Sequence, residues 1–215
     1  MTRRIHIDAE DDPPQVVPIG RGAPALRAAV LCPGPSLSPF EDTDAHDVRI
    51  GVNRAAGAVR CEYWVALDVH TAGITTPRGK PVVVNKPNIH RQMCDEFPCV
   101  SQLSHLSVEG LRLRRPGSEK INWQRFGLTV AVVLAAELGA ARIDCFGVDW
   151  CGQSDFDGFR HTRNRRTDSR WQRERRLYQQ VVAALAERGV IVRRMTFGQN
   201  DGAGQLQLVD PRSRR

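Results

Sequence analysis

Short apolar runs, each closed by a turn or a polar residue, recur through the first half of the chain. The first run, at residues 28–32, breaks into Pro33-Gly34-Pro35-Ser36, and three more follow at residues 48–52, 63–67 and 81–84. Runs of this length bounded by turn signals are typical of buried strands. The pattern predicts four strands in this half of the chain.

A different period begins at residue 127. Residues 127–138 read GLTVAVVLAAEL, and Gly139 follows. A segment that is apolar nearly all round predicts a helix buried against a sheet, and a glycine is a common helix terminator. Residues 142–146 then predict a strand, followed by Gly147-Val148-Asp149. Helix, glycine and strand together form the crossover unit from which parallel sheets are built.

A last helix and strand complete the pattern. Asp168 or Ser169 is expected to begin a helix that continues to about Arg188, and residues 190–195 are expected to form a strand. The predicted fold is α/β: a single Rossmann-like domain at residues 25–197, with a mostly parallel sheet flanked by helices. Residues 1–24 are expected to form a flexible N-terminal arm and residues 198–215 a flexible basic tail, since both are polar and charged.

Polar residues follow the predicted strands. Ser36, Asn53 and Asp68 each follow one of the first three strands. Because the carboxyl ends of neighbouring parallel strands open onto a shared crevice, we expect these side chains to converge on a ligand. Asn is also a good helix cap, so capping is an equally weighted interpretation of Asn53.

The turn at Gly34, Pro35 and Ser36 matches neither of the common phosphate-binding motifs. No Gly-Lys-Ser/Thr follows it, and G-x-G-x-x-G is absent. Its backbone N–H groups and the Ser36 hydroxyl are still expected to contact a phosphate at a helix start. The sequence therefore predicts a nucleotide crevice, but neither a P-loop nor an NAD site.

Two carboxylates follow predicted strands and are the candidate metal ligands. Asp68 and Asp149 are hard oxygen ligands of the kind that hold Mg²⁺ bridging a di- or triphosphate. Binding of ribose hydroxyls by either one, or a role in a cap or surface turn, is the alternative.

Positive charge is concentrated in one segment. The chain has a formal net charge of +7, and its sequence pI is about 9.5. Residues 160–176 hold eight arginines against Asp168 and Glu174, a net charge of +6. Such a balance favours phosphate-bearing partners, so the Arg160–Arg176 segment is a candidate nucleic-acid contact.

Within this segment, His161 is the candidate general base. A histidine on a loop over a crevice can take a proton, and neighbouring arginines can hold phosphates bidentately. Arg163, Arg165 and Arg166 are the candidate phosphate ligands, with a solvent-exposed charged loop as the alternative interpretation. The residues that precede the Arg160–Arg176 segment, SDFDGF, are interpreted as flexible.

The cysteines and the apolar runs bear on location. Six cysteines occur, and none has the spacing of a zinc finger. No secretory signal is expected, because no basic segment followed by an apolar one stands at the N-terminus, and no apolar run approaches the roughly 18 residues of a membrane span. A cytoplasmic protein with reduced thiols and no membrane span is expected. The sequence leaves the oligomeric state open.

Four motifs in order carry a family resemblance: GPSL, VxIGVNRA, EYWVALD and FGLTVAVVLAAELGAARIDCFGVDW. Together they resemble the 6-hydroxymethylpterin diphosphokinase MptE-like family, which shares motifs with bacterial CMP-sialic-acid sialyltransferases and motility accessory factors. The similarity covers roughly residues 28–195. The chain differs from those sialyltransferases at Pro33, at Phe126-Gly127 and at Cys151.

The resemblance implies a Rossmann-like fold with a nucleotide site. Residue by residue it carries over to a set of six positions: Gly34, Ser36, Asn53, Asp68, Gly147 and Asp149. It implies a transferase that passes a diphosphate from a nucleotide donor to a small hydroxymethyl acceptor. One alternative is a glycosyltransferase with His161 as base, which uses a CMP-sugar or another nucleotide sugar as donor and a glycan as acceptor. A second is a nucleic-acid-binding or nucleic-acid-modifying protein. A third is a non-catalytic binding module.

Overall fold

The structure is a computed structural model that describes residues 25–38, 40, 45–66, 82–84, 100–102, 121–160, 166–196 and 207–208. Within these ranges, it describes the side chains of residues 25–38, 40, 45–66, 121–160 and 166–195. The predicted N-terminal arm, at residues 1–24, lies outside the described residues. So does the predicted tail, apart from residues 207–208.

The described strands form one sheet in which a central strand has neighbours from both halves of the chain. The strand order is β5-β4-β3-β2-β1-β6-β7-β8. All neighbouring pairs are parallel except β7 and β8, which are antiparallel. The bounds are β1 Leu26–Leu31, β2 Val48–Val52, β3 Tyr63–Val65, β4 Val82–Val84, β5 Val100–Gln102, β6 Ala140–Phe146, β7 Ile191–Thr196 and β8 Gln207–Leu208.

The order confirms the predicted α/β Rossmann-like fold with a mostly parallel sheet. From β1 the chain passes outward through β2 to β5, then returns to place β6 on the other side of β1. The direction of winding therefore reverses between β1 and β6. In open α/β sheets, ligands bind in the crevice outside the carboxyl ends of the strands at this switch point.

One face of the sheet is covered by two helices. Helix α2 spans Gly127–Glu137 and helix α3 spans Asp168–Ala186, whereas the four-residue α1 spans Ala55–Ala58 beside β2. Eight consecutive residues of α2, from Leu128 to Ala135, are buried. This confirms the buried helix that the apolar pattern predicts.

Alternation along the strands separates two cores. Ala28 and Val30 of β1 pack with Ile143 and Cys145 of β6 on the α2 and α3 face. The residues between them face the other side, where Leu31 packs with Phe146, Met195 and Leu37. Because both faces carry buried side chains, the strands read as nearly continuous apolar runs.

Two strands were not expected from the sequence. Strand β5 lies between the predicted run at residues 81–84 and the predicted helix at residues 127–138, and the predicted tail contains β8, which pairs with β7. Both strands are short, and neither has the uninterrupted apolar run that marks the central strands. Neighbouring strands supply their hydrogen bonds, a tertiary effect that a local pattern does not record.

Candidate functional site

A cleft of about 410 Å³ opens at the switch point. This volume lies in the range typical of small-molecule sites. Its walls come from the carboxyl ends of β1, β2 and β6 and from the N-terminal parts of α2 and α3. The lining residues are Cys32, Pro33, Gly34, Val52, Asn53, Arg125, Phe126, Gly127, Leu128, Gly147, Val148, Asp149, Trp150, Cys151, Arg166, Arg170, Trp171 and Glu174.

The turns after β1 and β6 form the floor of this cleft and are hydrogen-bonded to each other. The N–H of Cys32 donates to the carbonyl of Phe146 at 2.9 Å, and the N–H of Gly34 donates to the carbonyl of Gly147 at 3.0 Å. The two predicted motifs, GPSL and Gly-x-Asp, are therefore two halves of one structure.

Close approach of the two backbones explains the glycines. Gly147 has a φ of +67°, and a Cβ on it would lie 2.0 Å from the carbonyl oxygen of Cys32. A Cβ on Gly34 would lie 2.3 Å from the carbonyl oxygen of Gly147. A side chain at either position would force the two strand ends apart.

Asp149 has a different neighbour from the one expected. Its Oδ2 atom accepts a hydrogen bond from the backbone N–H of Ser36 at 2.9 Å. The turn's N–H groups were predicted to contact a phosphate, but those of Gly34 and Ser36 are already used within the protein. Gly34, Gly147 and Asp149 line the cleft, whereas Pro35 and Ser36 do not. The role of these two residues in nucleotide binding stays a prediction.

Asn53 lines the cleft from the end of β2. Its φ is +48°, and its N–H donates to the carbonyl of Val65 at 2.8 Å. The capping residue of α1 is Arg54, which makes no side-chain capping hydrogen bond. The carbonyl of Asn53 accepts from the N–H of Ala56 at 3.3 Å, at the start of α1. Both interpretations of Asn53, helix capping and ligand binding, stay predictions.

The N-terminal end of α2 supplies hydrogen-bond donors to the cleft. Phe126 is its capping residue and provides no side-chain acceptor, while Gly127 and Leu128 line the cleft. The first N–H groups of a helix have no partner within the helix and carry a partial positive charge. This 11-residue helix therefore favours an anion at its start.

Three arginines add positive charge to the cleft. Arg125 is exposed at its rim, and Arg166 and Arg170 line the α3 wall. Arg166, a predicted phosphate ligand, reaches the cleft, but its Nη2 atom also pairs with Asp155 Oδ1 at 2.9 Å. Its guanidinium carbon lies 5.3 Å from the ring centroid of Trp171. Arg166 is thus held in place from two sides.

The loop at residues 151–160, which includes the segment interpreted as flexible, is mostly exposed but is anchored by one buried side chain. Asp155 is only 3% exposed, and it pairs with Arg54 Nε at 3.6 Å as well as with Arg166. Arg54 also contacts the Asp157 carboxylate and lies 4.2 Å from the ring centroid of Phe159. The N–H of Phe156 donates to the carbonyl of Pro33 at 2.9 Å.

Two aromatic residues of the cleft were not predicted as site residues. Trp150 has a φ of +50°, a rare conformation for a bulky side chain. Its ring centroid lies 5.3 Å from that of Tyr178 and 4.8 Å from the guanidinium carbon of Arg194. Trp171 lies on α3 beside Arg170 and also lines the cleft.

Glu174 is the third residue that sequence reasoning missed. It was counted only as a negative charge among the arginines, yet it lines the cleft. Burial raises the pKa of its carboxyl, and Arg170 and Arg166 lower it in part. The spacing of Arg170, Trp171 and Glu174 was the available signal, because residues three and four apart share a helix face.

The remaining predicted site residues lie outside the described residues: Asp68, His161, Arg163 and Arg165. Within the part of the chain that the structure describes, no three His, Cys, Asp or Glu side chains are grouped so as to hold a metal ion. No helix among the described residues has the length and apolar character needed to cross a bilayer.

Comparison with known proteins adds no assignment. A scan of the chain against protein-family models finds no match, and a search of curated protein sequences finds no significant match.

Proposed function

We propose that the protein is a nucleotide-dependent transferase of the 6-hydroxymethylpterin diphosphokinase MptE-like type, which binds its nucleotide donor in the switch-point cleft. One observation carries the proposal: the start of α2 and three arginines, Arg125, Arg166 and Arg170, meet at a cleft between the ends of β1 and β6. Backbone N–H groups at a helix start and guanidinium groups are the donors that phosphates prefer.

The lining divides into two kinds of surface. The phosphates would lie at the start of α2, near Arg125 and Arg170. Phe126, Trp150 and Trp171 supply aromatic surface in the same cleft, which suits the apolar faces of a base. A nucleotide has both an anionic and an aromatic part, and a cleft with both surfaces supports it as ligand.

In the reaction proposed, the hydroxyl oxygen of a small hydroxymethyl acceptor forms a bond to the β-phosphorus of a nucleoside triphosphate. The bond from that phosphorus to the α-phosphate bridging oxygen breaks, and the nucleoside monophosphate leaves with the electron pair. His161 would take the hydroxyl proton. The arginines of the cleft would stabilise the charge on the transferring group.

Sialyl transfer is the alternative, and the lining favours it less. In that form, the acceptor oxygen would attack the anomeric carbon of a nucleotide sugar. The positions at which the chain departs from those sialyltransferases are Pro33, Phe126, Gly127 and Cys151, and all four line the cleft. Differences concentrated on the ligand-facing surface support a different donor or acceptor.

Mg²⁺ fits the described residues in a limited way. Asp149 lines the cleft, and its Oδ2 atom accepts from Ser36, which leaves Oδ1 as the oxygen for a metal ion. Mg²⁺ is commonly held by one or two carboxylates and the substrate phosphates, so Asp149 with Asp68 would hold it. When bound, the ion would neutralise phosphate charge.

Calorimetric titration with CTP, CMP, ATP, GTP and UDP-sugars, with and without Mg²⁺, tests the proposal. Arg170→Ala should weaken binding about 10-fold or more, because a hydrogen bond to a charged group contributes about 1.5–3 kcal/mol. Arg173→Ala is the matched control, since Arg173 is exposed on the same helix and does not line the cleft. Absence of binding by every ligand, or equal effects of the two variants, would contradict the proposal.

A nucleic-acid partner is the second candidate, favoured by the exposed arginines of α3. Arg173, Arg175 and Arg176 are exposed there. Binding through them should be independent of sequence and weaken steeply with salt. The triple Arg→Ala variant at these positions should lower the affinity for a single-stranded oligonucleotide and flatten the salt dependence; unchanged binding would contradict this candidate.

The proposed location is the cytoplasm. Four described cysteines, Cys32, Cys61, Cys145 and Cys151, are free thiols, as is usual in a reducing compartment.

A further inference from the structure

Most hydrogen-bond acceptors at the floor of the cleft are already used. The carbonyls of Phe146 and Gly147 accept from the turn after β1, at 2.9 and 3.0 Å. The carbonyl of Val148 accepts from Arg194 Nε at 2.7 Å, and Asp149 accepts from Ser36. The floor therefore offers few acceptors to a ligand, whereas the start of α2 and the arginines offer many donors.

Besides Asp149 Oδ1, which the proposed metal ion would take, Glu174 supplies the second carboxylate of the cleft. It lines the cleft from α3, and among the described residues none forms a hydrogen bond or an ion pair with its carboxylate. Burial is the main cause that raises the pKa of the Cys32 thiol at the end of β1, and the negative charge of Glu174 raises that pKa further. Burial also raises the pKa of Glu174 itself. Arg170 and Arg166 lower that pKa in part, and the side chain is partly exposed. A carboxylate that forms no hydrogen bond within the protein gains from a ligand that supplies an N–H donor.

The surroundings of Glu174 indicate what kind of ligand group it meets. Trp171 and Arg170 precede it by three and four residues and share its helix face. Aromatic surface beside an unpaired acceptor suits a flat ring that carries N–H groups at its edge. A phosphate, which offers only acceptors at neutral pH, is repelled by a carboxylate and belongs at the arginines and the start of α2.

We propose that Glu174 is the specificity-determining residue of the cleft, which accepts hydrogen bonds from the exocyclic amine of an adenine, cytosine or guanine base. The inference rests on the proposed nucleotide function and narrows its ligand. Uracil carries a carbonyl oxygen where cytosine carries this amine, and so does hypoxanthine relative to adenine, so that oxygen would face the Glu174 carboxylate and be repelled by it. Relative to guanine, hypoxanthine has a hydrogen atom in place of the amine and would lose one hydrogen bond. Sites built to pair with a polar group reject ligands that lack it.

Matched nucleotide pairs isolate the amine. Calorimetric titration of CMP against UMP, and of GMP and AMP against IMP, compares ligands with the same charge and phosphate. We expect the amine-bearing member of at least one pair to bind about 10-fold or more tightly, as for a hydrogen bond to a charged group. Glu174→Ala should bring that pair to within about threefold of each other, close to equal binding free energies. Glu174→Gln, which keeps one acceptor oxygen and the side-chain volume, should retain a smaller preference.

The control and the contrary outcomes separate this inference from the proposed function. Glu187→Ala removes the same charge at the exposed C-terminal end of α3 and should leave the preference unchanged. Equal affinities within every pair in the wild-type protein, or a full preference that persists in both Glu174 variants, would overturn the inference while nucleotide binding stands. Loss in Glu174→Ala of discrimination between CMP and 2′-deoxy-CMP would overturn it too, because the carboxylate would then contact ribose. Absence of binding by all nucleotides would overturn the proposed function and the inference together.

Discussion

The Asp149 carboxylate accepts the backbone N–H of Ser36 at 2.9 Å across 113 residues of sequence. The bond joins the turn after β6 to the short 3-10 helix, Pro35–Leu37, that follows β1. A carboxylate at the start of a helical turn stands where an anionic ligand would otherwise bind. The Asp149 carboxylate therefore stabilises the 3-10 helix after β1, and the start of α2 is the helix end in the cleft that can bind an anionic ligand.

Asp149→Ala is expected to lower the free energy of unfolding by about 2 kcal/mol, because a hydrogen bond to a charged group is lost. Urea denaturation followed by circular dichroism measures the change. Ser36→Ala is the matched control: it keeps the N–H donor, so it should cost less than about 0.5 kcal/mol. Similar losses in the two variants would show that the hydroxyl of Ser36, not its backbone, matters.

Gly147→Ala tests the close approach of the two turns. A Cβ there would lie 2.0 Å from the Cys32 carbonyl oxygen, and the φ of +67° adds strain. The free energy of unfolding should fall by more than about 2 kcal/mol. Gly189 has a φ of +78° but open space around it, so Gly189→Ala should cost only about 1 kcal/mol. Equal losses would mean that the steric contact is relieved by a small shift.

The central part of the fold was predictable because each element carries its own local signal. The run at Val48–Val52 and the all-apolar helix at Gly127–Glu137 appear within one residue of their predicted bounds. Glycines at positions 34 and 147 marked the turns, because a turn of this kind leaves no room for a side chain. Local apolar patterning and turn chemistry thus determined the switch point.

The pairing of side chains across the cleft was not predictable. Asp155 lies in a polar, glycine-containing stretch that is typical of a solvated loop, yet it is buried. It pairs there with Arg54, which is about 100 residues away in sequence, and with Arg166, which precedes α3. In the sequence, Glu174 stands among many arginines. Only the geometry of the helix shows that Glu174 is partly buried, whereas Arg173, Arg175 and Arg176 are exposed. Long-range charge pairing leaves no periodic trace in a single sequence.

Asp155→Asn is expected to be the most destabilising polar substitution of the 151–160 loop. It leaves the buried guanidinium of Arg54 and that of Arg166 short of a counter-charge. Breaking a buried ion pair by removing one partner costs about 3–5 kcal/mol. Thermal and urea denaturation measure the loss. Asp157 contacts the same Arg54 from an exposed position, so Asp157→Asn should cost about 1 kcal/mol or less. A larger effect of Asp157→Asn would contradict this ranking.

Glu174→Gln should stabilise the protein, and by an amount that depends on pH. Because burial raises the pKa of Glu174 in the folded state above its unfolded value of about 4.3, the folded state binds the proton more tightly. The free energy of unfolding that this group contributes is therefore fully present below the unfolded pKa and is lost as pH rises through the folded pKa. Glutamine stays neutral, so the variant should melt at a higher temperature than the wild type at pH 8, with a difference that shrinks towards pH 4.

Thermal denaturation between pH 4 and pH 8 measures this difference. Glu187→Gln, at the exposed end of α3, is the control and should shift stability by less than about 0.5 kcal/mol. A variant less stable than the wild type at pH 8 would show that the Glu174 carboxylate has a stabilising partner in the folded protein and is not held ready for a ligand.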